Sequence, residues 1–561
     1  MVLIVVGCTT NEQESVRIIA TTDVHGNIFS EDLVSGEFTS SSMSRAATFI
    51  KSEWPGEKLL LDNGDNLQGS PSVYYYNFED TVSSHLWADV LNYLGYDAVT
   101  AGNHDIEAGH AVYDRIRSEY HFPMLAANAV STETGEPYFE PYAIVEKGGI
   151  RIAVLGLITP GVPGWLPPVL YSGIRFEDMT ESAIKWMPEV MKEKPDLVIG
   201  LFHSGWDESY GSGTEGSYLN ENASMAVARQ VPGFDIVFIG HDHDILKEEV
   251  ININGDTVLV LDGGSNARAI AVADATVHGS GKKRKVEIDA YIVRTDSLTP
   301  DSGYDENFRQ NYIALHNYVN REIGTLEESI TTRDSYFGDS PFIDLIHMVQ
   351  LSTTGADISF AAPLSFDVTI PAGKILVRDM FDLYRYENML YAIELKGSEV
   401  DSYLEYSYSL WVNQMKDKSD YLLKYEAGGE GRRLINRYYN FDSAEGINYF
   451  VDVSKPEGER VTITSMSDGR LFDPEGKYSV ALNSYRGSGG GGHLKAGCGL
   501  SDEEIKDRLV RSTDKDLRYY MIRWFEINGT TGATSDENWR FVPSIWAQDA
   551  AKREQKLLFN K

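Results

Sequence analysis

Five short apolar runs of the chain are each followed directly by residues of the types that bind metal ions. The segments after the runs are, in order, Asp23-Val24-His25, Gly64-Asp65, Gly102-Asn103-His104-Asp105, His203 and Gly240-His241-Asp242-His243. Together they can deliver three carboxylate or amide oxygens and four imidazole nitrogens to one place, a mixture that suits zinc, manganese, iron or cobalt better than calcium. Seven such ligands are too many for one tetrahedral site. They do fit two divalent metal ions that share one bridging carboxylate, and such a pair catalyses phosphoryl chemistry.

The apolar runs that precede these segments have the length of β-strands. They alternate with amphipathic stretches, a pattern typical of an α/β fold, and are Arg17–Thr21, Leu59–Leu61, Ala98–Thr100, Leu197–Leu201 and Ile236–Ile239. Side chains at the carboxyl ends of neighbouring strands converge on one crevice in open α/β sheets. We therefore expect the ligand-type side chains to meet in one place.

Each segment taken alone has a simpler interpretation. Asp23-Val24-His25 could cap a turn, and His203 could be a hydrogen-bonded core or surface histidine. Gly102-Asn103 could form a tight turn, because both residues tolerate a positive φ. The five segments together, in one order and each at a strand end, favour metal binding, because packing requirements do not generate such a set.

Composition narrows the class of protein. The chain has 561 residues with 50 basic and 84 acidic side chains, so its formal charge is −34. A hydrophobic fraction of 42% excludes a disordered chain. The acidic balance argues against a nucleic-acid polymer as the partner. An anionic small substrate would need local positive charge, for which bound metal ions are one source.

The pattern changes near residue 300. The α/β alternation extends to about Arg294, and Asp305–Ile323 has the spacing of a connecting helix. A second α/β unit then runs from about Ser340 to Trp546. We predict a tether over residues 1–14, a first domain over 15–300, a linker helix over 301–330 and a C-terminal domain over 331–561.

The start of the chain resembles a processed targeting segment. Val5-Val6-Gly7-Cys8 resembles the lipobox of bacterial lipoproteins, in which the cysteine receives the lipid. The alternative is an ordinary frayed terminus. Lipidation would place the protein in the periplasm or at the cell surface, anchored through Cys8. The two cysteines, Cys8 and Cys498, exclude a scaffold stapled by disulfides.

The strand-end segments resemble, in their order, the motifs of the calcineurin-like metallophosphoesterases. Asp65-Asn66-Leu67-Gln68-Gly69-Ser70-Pro71 also resembles a variant found in the 5′-nucleotidase family. The C-terminal half is similar to that family along its length. Its segments Tyr386-Glu387-Asn388, Tyr439-Asn440-Phe441-Asp442, Asn483-Ser484-Tyr485-Arg486 and Asn538-Trp539-Arg540 look most like bacterial 2′,3′-cyclic-nucleotide 2′-phosphodiesterase/3′-nucleotidases.

The resemblance implies a fold and a set of metal ligands. The fold is a four-layered α/β/β/α metallophosphoesterase domain, then a helix, then an α/β 5′-nucleotidase C-terminal domain. One metal ion would be held by Asp23, His25 and His243, where some relatives have a glutamine in place of the last residue. The other would be held by Asn103, His203 and His241, and Asp65 would bridge the two.

The resemblance also implies roles in catalysis and substrate binding. His104 would stabilise developing charge or protonate the leaving ribose oxygen. Many relatives have an aspartate three residues later to keep that histidine protonated; this chain has Glu107, whose alternative role is that of a solvent-facing helix residue. Tyr386 and Tyr485 would stack on the nucleotide base, and Asn388 would bind its edge. The glycines of Gly489–Gly492 would let the backbone approach the ligand.

Two departures from 5′-nucleotidases bear on the substrate. Leu364–Thr369 lacks the arginines that contact substrate in those enzymes, and Gly491 stands where an aspartate is usual. We therefore predict a monomer that hydrolyses 2′,3′-cyclic nucleotides to 3′-nucleotides, and 3′-nucleotides to nucleoside and phosphate. The alternatives are a 5′-nucleotidase or nucleotide-sugar hydrolase, and a surface lipoprotein that binds nucleotide or metal without turnover.

Overall fold

The structure, a computed structural model, describes residues 14–209, 219–278, 285–384, 386–426, 433–532 and 534–559. The predicted tether and Cys8 lie outside the described residues, apart from Glu14, which begins the first strand. The chain divides into two units between His316 and Asn317. No helix of the described part is long and apolar enough to cross a membrane.

The N-terminal unit is built from two six-stranded sheets. Its strands, in chain order, are β1 (Glu14–Thr21), β2 (Glu57–Asp62), β3 (Ala98–Thr100), β4 (Met124–Leu125), β5 (Ala129–Ser131), β6 (Tyr142–Lys147), β7 (Ile150–Ile158), β8 (Ile174–Phe176), β9 (Leu197–His203), β10 (Ile236–Ile239), β11 (Ile245–Ile251), β12 (Thr257–Gly263), β13 (Ala269–His278) and β14 (Lys285–Arg294). One sheet has the order β14-β13-β1-β2-β3-β4 and the other β11-β12-β10-β9-β7-β6. The five predicted strands are all present, as β1, β2, β3, β9 and β10.

The two sheets pack face to face through alternating apolar side chains. Ile18 of β1 and Leu61 of β2 belong to the same buried cluster as Ile199 of β9 and Phe238 of β10. Residues of opposite parity on the second sheet, such as Val198, join a further cluster with helical residues. This burial on both faces explains why the strands are continuous apolar runs. The predicted α/β/β/α layering is confirmed.

Short helices complete the N-terminal unit. They are α1 (Met43–Ile50), α2 (Pro71–Phe78), α3 (Leu86–Leu94), α4 (Asn103–Glu107), α5 (His110–Glu119), α6 (Val162–Trp165), α7 (Met179–Lys192), α8 (Ser224–Gln230) and α9 (Ser302–Asn307). Helix α10 (Arg309–Val319) begins in this unit and continues past its last residue, His316. Pro71 occupies the first turn of α2, where its missing N–H costs no hydrogen bond. Helix α4 begins at Asn103, directly after β3, and thus carries a strand-end motif into a helix.

The linker predicted as one helix over 301–330 consists of several elements. Helix α9 ends before Phe308, whose buried ring packs on Tyr93 and Tyr304 at centroid distances of 5.4 and 4.9 Å. Helix α10 follows and ends at Val319, and a strand begins at Glu322. The helical spacing of the sequence therefore continues across a break at Phe308, a residue that is buried in this aromatic cluster.

The C-terminal unit is a mixed α/β structure. Its strands are β15 (Glu322–Leu326), β16 (Ile330–Thr331), β17 (Ile358–Ala361), β18 (Thr369–Ile370), β19 (Gly373–Leu376), β20 (Met389–Lys396), β21 (Ser443–Glu445), β22 (Ile447–Asp452), β23 (Val461–Met466), β24 (Lys477–Asn483), β25 (Leu509–Asp516), β26 (Thr530–Thr531) and β27 (Trp539–Val542). Its helices are α11 (Pro341–Thr354), α12 (Val377–Leu383), α13 (Gly397–Trp411), α14 (Ser484–Gly487), α15 (Asp502–Asp507), α16 (Leu517–Asn528) and α17 (Ser544–Phe559). The largest sheet has the order β21-β17-β24-β20-β25.

Candidate active site

The predicted metal ligands stand at the carboxyl ends of five strands. Strands β1, β2 and β3 run parallel in one sheet, and β9 runs parallel to β10 in the other. Their ends carry, in chain order, Asp23 and His25, Asp65, Asn103, His203, and His241 and His243. The stacking of the two sheets therefore brings together side chains that lie up to 220 positions apart in the sequence, from Asp23 to His243 (243 − 23).

The ligand atoms form two groups. Atoms of Asp23, His25 and His243 lie within 4.8 Å of one another, as do atoms of Asp65, His203 and His241. In the first group His25 Nε2 lies 3.1 Å from His243 Nε2. Two imidazole nitrogens that face each other in this way suit a shared cation, because zinc ligands at about 2.0–2.1 Å from the ion lie up to about 4.2 Å apart.

The second group is completed by an amide. His203 Nε2 lies 3.1 Å from Asp65 Oδ2 and 3.1 Å from Asn103 Oδ1. Burial raises the pKa of Asp65, but the charges of His203, His104 and His25 together lower it by more than burial raises it. The pKa of Asp65 therefore lies well below the usual value. Asp65 is therefore influenced by histidines of both groups, which is the position that a bridging carboxylate requires.

Five of these ligands have a left-handed backbone. The φ angles are 49° at Asp23, 51° at His25, 57° at Asp65, 82° at His241 and 63° at His243, and only four other described non-glycine residues have a positive φ. Such conformations cost roughly 1–3 kcal/mol each and persist where the surrounding structure imposes them. Their concentration at one place indicates a site whose geometry is maintained at the expense of stability.

Glycines of the motifs allow the ligand loops to approach one another. A Cβ atom on Gly102 would lie 2.1 Å from Asp65 Oδ1, and one on Gly240 would lie 2.5 Å from Asp23 Oδ2. A Cβ atom on Gly64 would lie 2.6 Å from the backbone nitrogen of Gly102. These contacts are far below van der Waals distance, so no larger residue fits without displacing a predicted ligand or the backbone of a ligand loop.

Several supporting residues had no role in the sequence analysis. The buried Asp105 carboxylate accepts hydrogen bonds of 2.8–3.2 Å from four backbone N–H groups, those of Asp65, Asn66, Leu67 and Gly102. Burial, and then the charge of Asp65, raise the pKa of Asp105 to about 6. Its place in the Gly102–Asp105 motif was the one sequence feature that could have indicated this supporting role. It fixes two ligand loops relative to each other.

The backbone and a tryptophan orient two of the histidines. His203 Nδ1 lies 2.7 Å from the carbonyl oxygen of Asn63, to which it donates, so that Nε2 is directed at the ligand group. The ring of Trp165 lies 5.4 Å from that of His241. Neither contact has a sequence signal, because the partners are 140 and 76 positions apart (203 − 63 and 241 − 165).

The protonation of the histidines suits metal binding. Burial, and then the positive charges of neighbouring histidines, lower the pKa values of His25 and His241 to about 4, so both rings are neutral donors at pH 7. Burial also disfavours the charged form of His203, but the charge of Asp65 and its hydrogen bond raise the pKa to about 9. A cation would displace this proton, because metal ligands bind deprotonated. The donor set therefore fits divalent metal ions.

His104 and Glu107 lie beside the ligands and contact each other. His104 Nδ1 lies 2.5 Å from Glu107 Oε2, so the glutamate reaches the ring despite its extra methylene. The His104 ring lies 5.5 Å from that of His25, and its backbone N–H donates to Asp65 Oδ1 at 2.8 Å. The catalytic role of the pair stays a prediction, but its position is that of a group adjacent to the metal ligands.

The C-terminal unit has a pocket of about 250 Å³ at one end of its largest sheet. It contains the three predicted substrate-binding residues and three others, the full lining being Leu364, Tyr386, Asn388, Tyr439, Asn483 and Tyr485. Leu364 follows β17, Asn483 ends the parallel strand β24, and Asn388 precedes the antiparallel strand β20. The residues Tyr386 and Tyr485 are 39% and 45% exposed, so both can present aromatic surface to a ligand.

A buried ion pair positions the tyrosines of this pocket. Arg486, next to Tyr485 in α14, binds Asp442 through Nε at 2.8 Å and Nη2 at 3.0 Å, and donates to the Tyr439 carbonyl oxygen at 2.6 Å. Gly490 of the glycine loop packs against Tyr485, since a Cβ atom on Gly490 would lie 2.5 Å from the Tyr485 side chain. The glycines thus make room for Tyr485; the predicted approach to a ligand stays a prediction.

Comparison with known proteins agrees with both parts of the chain. Residues 16–244 match the model of the calcineurin-like phosphoesterases, and residues 322–496 match that of the 5′-nucleotidase C-terminal domain. The chain is 28% identical to a 2′,3′-cyclic-nucleotide 2′-phosphodiesterase/3′-nucleotidase of Haemophilus influenzae, over 94% of this chain and 87% of the relative. It is 27% identical to the trifunctional nucleotide phosphoesterase protein YfkN of Bacillus subtilis over 95% of this chain, but spans only 39% of that protein.

The solved structures give the same result for the fold. A candidate 5′-nucleotidase of Staphylococcus aureus matches with a TM-score of 0.72 at 20% identity, covering 94% of this chain and 99% of the other. The strand-end ligands lie within the part that matches the phosphoesterase model, and the tyrosine-lined pocket lies within the part that matches the C-terminal model. The chain therefore belongs to the 5′-nucleotidase family of calcineurin-like metallophosphoesterases, a group of nucleotide-hydrolysing enzymes.

Proposed function

We propose that the protein hydrolyses 2′,3′-cyclic nucleotides to 3′-nucleotides, and 3′-nucleotides to nucleoside and phosphate. The observation that carries the proposal is the pair of ligand groups at adjacent strand ends, with His104 beside them. The named activity of the Haemophilus influenzae relative supports the same substrates.

Two divalent metal ions are part of the proposal. Asp23, His25 and His243 would hold one, Asn103, His203 and His241 the other, and Asp65 would bridge them; zinc, manganese, iron and cobalt all suit this donor set. When bound, such a pair polarises phosphoryl oxygens and lowers the pKa of a water molecule. The ions would also supply positive charge for a phosphate in a protein of net charge −34.

His104 and Glu107 would provide acid catalysis. The Glu107 carboxylate at Nδ1 would fix the orientation of the ring. A protonated ring beside the ligand groups can stabilise charge on a phosphoryl oxygen, or donate a proton to the ribose oxygen that leaves. The 2′-oxygen leaves from a cyclic phosphate, and the 3′-oxygen leaves from a 3′-monoester.

The tyrosine-lined pocket would bind the base. Tyr386, Tyr439 and Tyr485 offer aromatic surface, and stacking on a base contributes about 1–3 kcal/mol with little base selectivity. Asn388 and Asn483 offer amide groups to a base edge. The described residues that line this pocket are all uncharged, and Leu364 begins the stretch that lacks the arginines of 5′-nucleotidases. An uncharged lining favours binding of the nucleoside part of the substrate and offers no charged side chain for a phosphate group.

A phosphate-release assay separates the candidate functions. The metal-supplemented protein would be given 2′,3′-cyclic AMP, 3′-AMP and 5′-AMP in turn, and we expect turnover of the first two. Because hydrolysis of the cyclic ester releases no phosphate in its first step, 3′-AMP formation is followed by chromatography. Dominant activity on 5′-AMP would instead select a 5′-nucleotidase. Silence with metal ions bound would select a binding protein.

We also propose, from the sequence alone, that the protein is a lipoprotein anchored through Cys8 in the periplasm or at the cell surface. The support is the lipobox-like Val5-Val6-Gly7-Cys8, which lies outside the described residues. Labelled palmitate should enter the wild-type protein and not the Cys8→Ala variant when both are expressed from this sequence in a bacterium. Equal labelling of the two, or labelling of neither, would contradict the proposal.

A further inference from the structure

Three carboxylates of the C-terminal unit meet at the start of helix α11. Asp339 precedes the N-cap residue Ser340, Asp344 lies in the first turn of α11, and Asp536 lies shortly before β27. One oxygen of each carboxylate lies within 4.8 Å of the others. The cluster joins chain segments that are 192 positions apart, from Asp344 to Asp536.

One member of the cluster is buried and lacks the partners that a carboxylate needs. The Asp344 residue is only 9% exposed, and its Oδ1 has no hydrogen-bond partner. Its Oδ2 accepts a long bond of 3.4 Å from the backbone N–H of Asp536, so the carboxylate is directed at the other two. A buried carboxylate oxygen without a donor is costly, so Asp344 requires either a proton shared with Asp339 or a bound cation.

The surrounding groups do not supply that charge. Asp339 Oδ2 accepts the Ser535 hydroxyl at 2.6 Å and the Glu537 N–H at 2.9 Å, but Asp339 Oδ1 is also buried without a partner. Within the described ranges, none of the three carboxylates forms an ion pair with lysine, arginine or histidine. The remaining ways to relieve the repulsion are a shared proton and a bound cation.

The donor chemistry distinguishes among cations. All the ligand atoms are oxygens, which hard cations prefer and which zinc sites rarely use alone. Three carboxylates that converge within 4.8 Å of one another therefore favour calcium, which accepts six to eight oxygen ligands in flexible geometry, over magnesium, which usually binds through one or two carboxylates and keeps several waters.

We propose that Asp339, Asp344 and Asp536 bind one calcium ion, with water completing the coordination. The ion would join the N-terminus of α11 to the segment before β27 and would stabilise the C-terminal unit. This site differs in donor type from the strand-end ligand groups, and it does not depend on the proposed function.

Calcium titration of the full chain tests the proposal. The protein would first be loaded with two equivalents of zinc, which rarely binds through oxygens alone, so that the strand-end ligands are occupied, and would then be titrated with calcium by isothermal calorimetry. We expect one calcium ion per chain and a rise in the melting temperature, because a ligand that binds only the folded state stabilises it. Asp344→Asn has nearly the same shape and should weaken binding by at least about tenfold, since ligand charge sets calcium affinity.

Two further variants keep the test interpretable. Asp536→Asn changes an exposed residue and should also weaken calcium binding, so that a folding defect of Asp344→Asn would not decide the result. Asp417→Asn removes an exposed carboxylate of the same unit that accepts bonds from Ser419, and should bind calcium as the wild type does. Absence of binding by the wild type at about 10 mM calcium would show a proton-sharing cluster and overturn the proposal. Unchanged binding by both cluster variants would overturn it as well.

Discussion

Replacing His104 by alanine should separate proton transfer from metal binding. The contact of His104 with the ligand Asp65 is made by its backbone N–H, at 2.8 Å, and alanine keeps this bond. The substitution removes the ring and with it the 2.5 Å contact to Glu107. The side chain is 33% exposed, so its loss leaves a space open to water rather than a buried cavity. We therefore expect a folded protein that retains its metal ions.

The expected loss is in turnover. A positioned acid or base contributes typically 10²- to 10⁴-fold, which corresponds to about 2.7–5.4 kcal/mol of the activation barrier at 1.36 kcal/mol per tenfold. Glu107→Gln keeps a hydrogen-bond acceptor for Nδ1 but removes the charge, and we expect a smaller loss of about tenfold. The assay is kcat on 2′,3′-cyclic AMP, with the metal content measured on the same samples.

The exposed His121 provides the control, because His121→Ala removes an imidazole that has no part in the site. This variant should turn over substrate at the wild-type rate. If His104→Ala loses metal ions in proportion to activity, the residue has a structural role. If His104→Ala keeps kcat within about threefold of the wild type, far from the range for acid–base catalysis, the ring does no proton transfer.

Three further outcomes follow from the geometry. Gly102→Ala would place a Cβ atom 2.1 Å from Asp65 Oδ1, so the carboxylate must move by about 1 Å and kcat should fall by roughly 10²-fold or more; wild-type kinetics would contradict this. Asp105→Ala leaves four backbone N–H groups without their acceptor and should lower the free energy of unfolding by at least about 3 kcal/mol in urea titrations; a change below about 1 kcal/mol would refute the role. Replacing Tyr386 and Tyr485 together by alanine should raise KM for nucleotides by roughly 5- to 150-fold and spare bis(p-nitrophenyl) phosphate; equal losses on both substrates would exclude base stacking.

The parts of the fold that the sequence predicts are those with local signals. Apolar runs ending in polar motifs located β1, β2, β3, β9 and β10, because strands buried on both faces have a continuous apolar composition. The prediction of one linker helix over 301–330 was wrong because the break in it has no local signal. The helical spacing of this stretch is a local signal, whereas the packing of Phe308 at the break involves the distant Tyr93 and cannot be read from local spacing.

The site was predictable to the extent that its residues belong to motifs. The ligand types and their order indicated a metal centre before any geometry was known. The residues that orient the ligands were not predicted, because Asp105 acts through backbone N–H groups and Asn63 through its own carbonyl oxygen. Tyr439 lines the C-terminal pocket, and its carbonyl oxygen accepts a hydrogen bond from the buried Arg486. The two residues are 47 positions apart, so sequence spacing gives no indication of this contact.

Metal content tests the account most directly. Purified wild-type protein and its Asp65→Asn variant would be compared by inductively coupled plasma mass spectrometry after incubation with manganese or zinc and removal of the excess. The geometry predicts two transition-metal ions per wild-type chain, and fewer in the variant because the shared carboxylate is lost. A wild-type chain without bound transition metal, or a variant that retains two ions with unchanged affinity, would contradict the account.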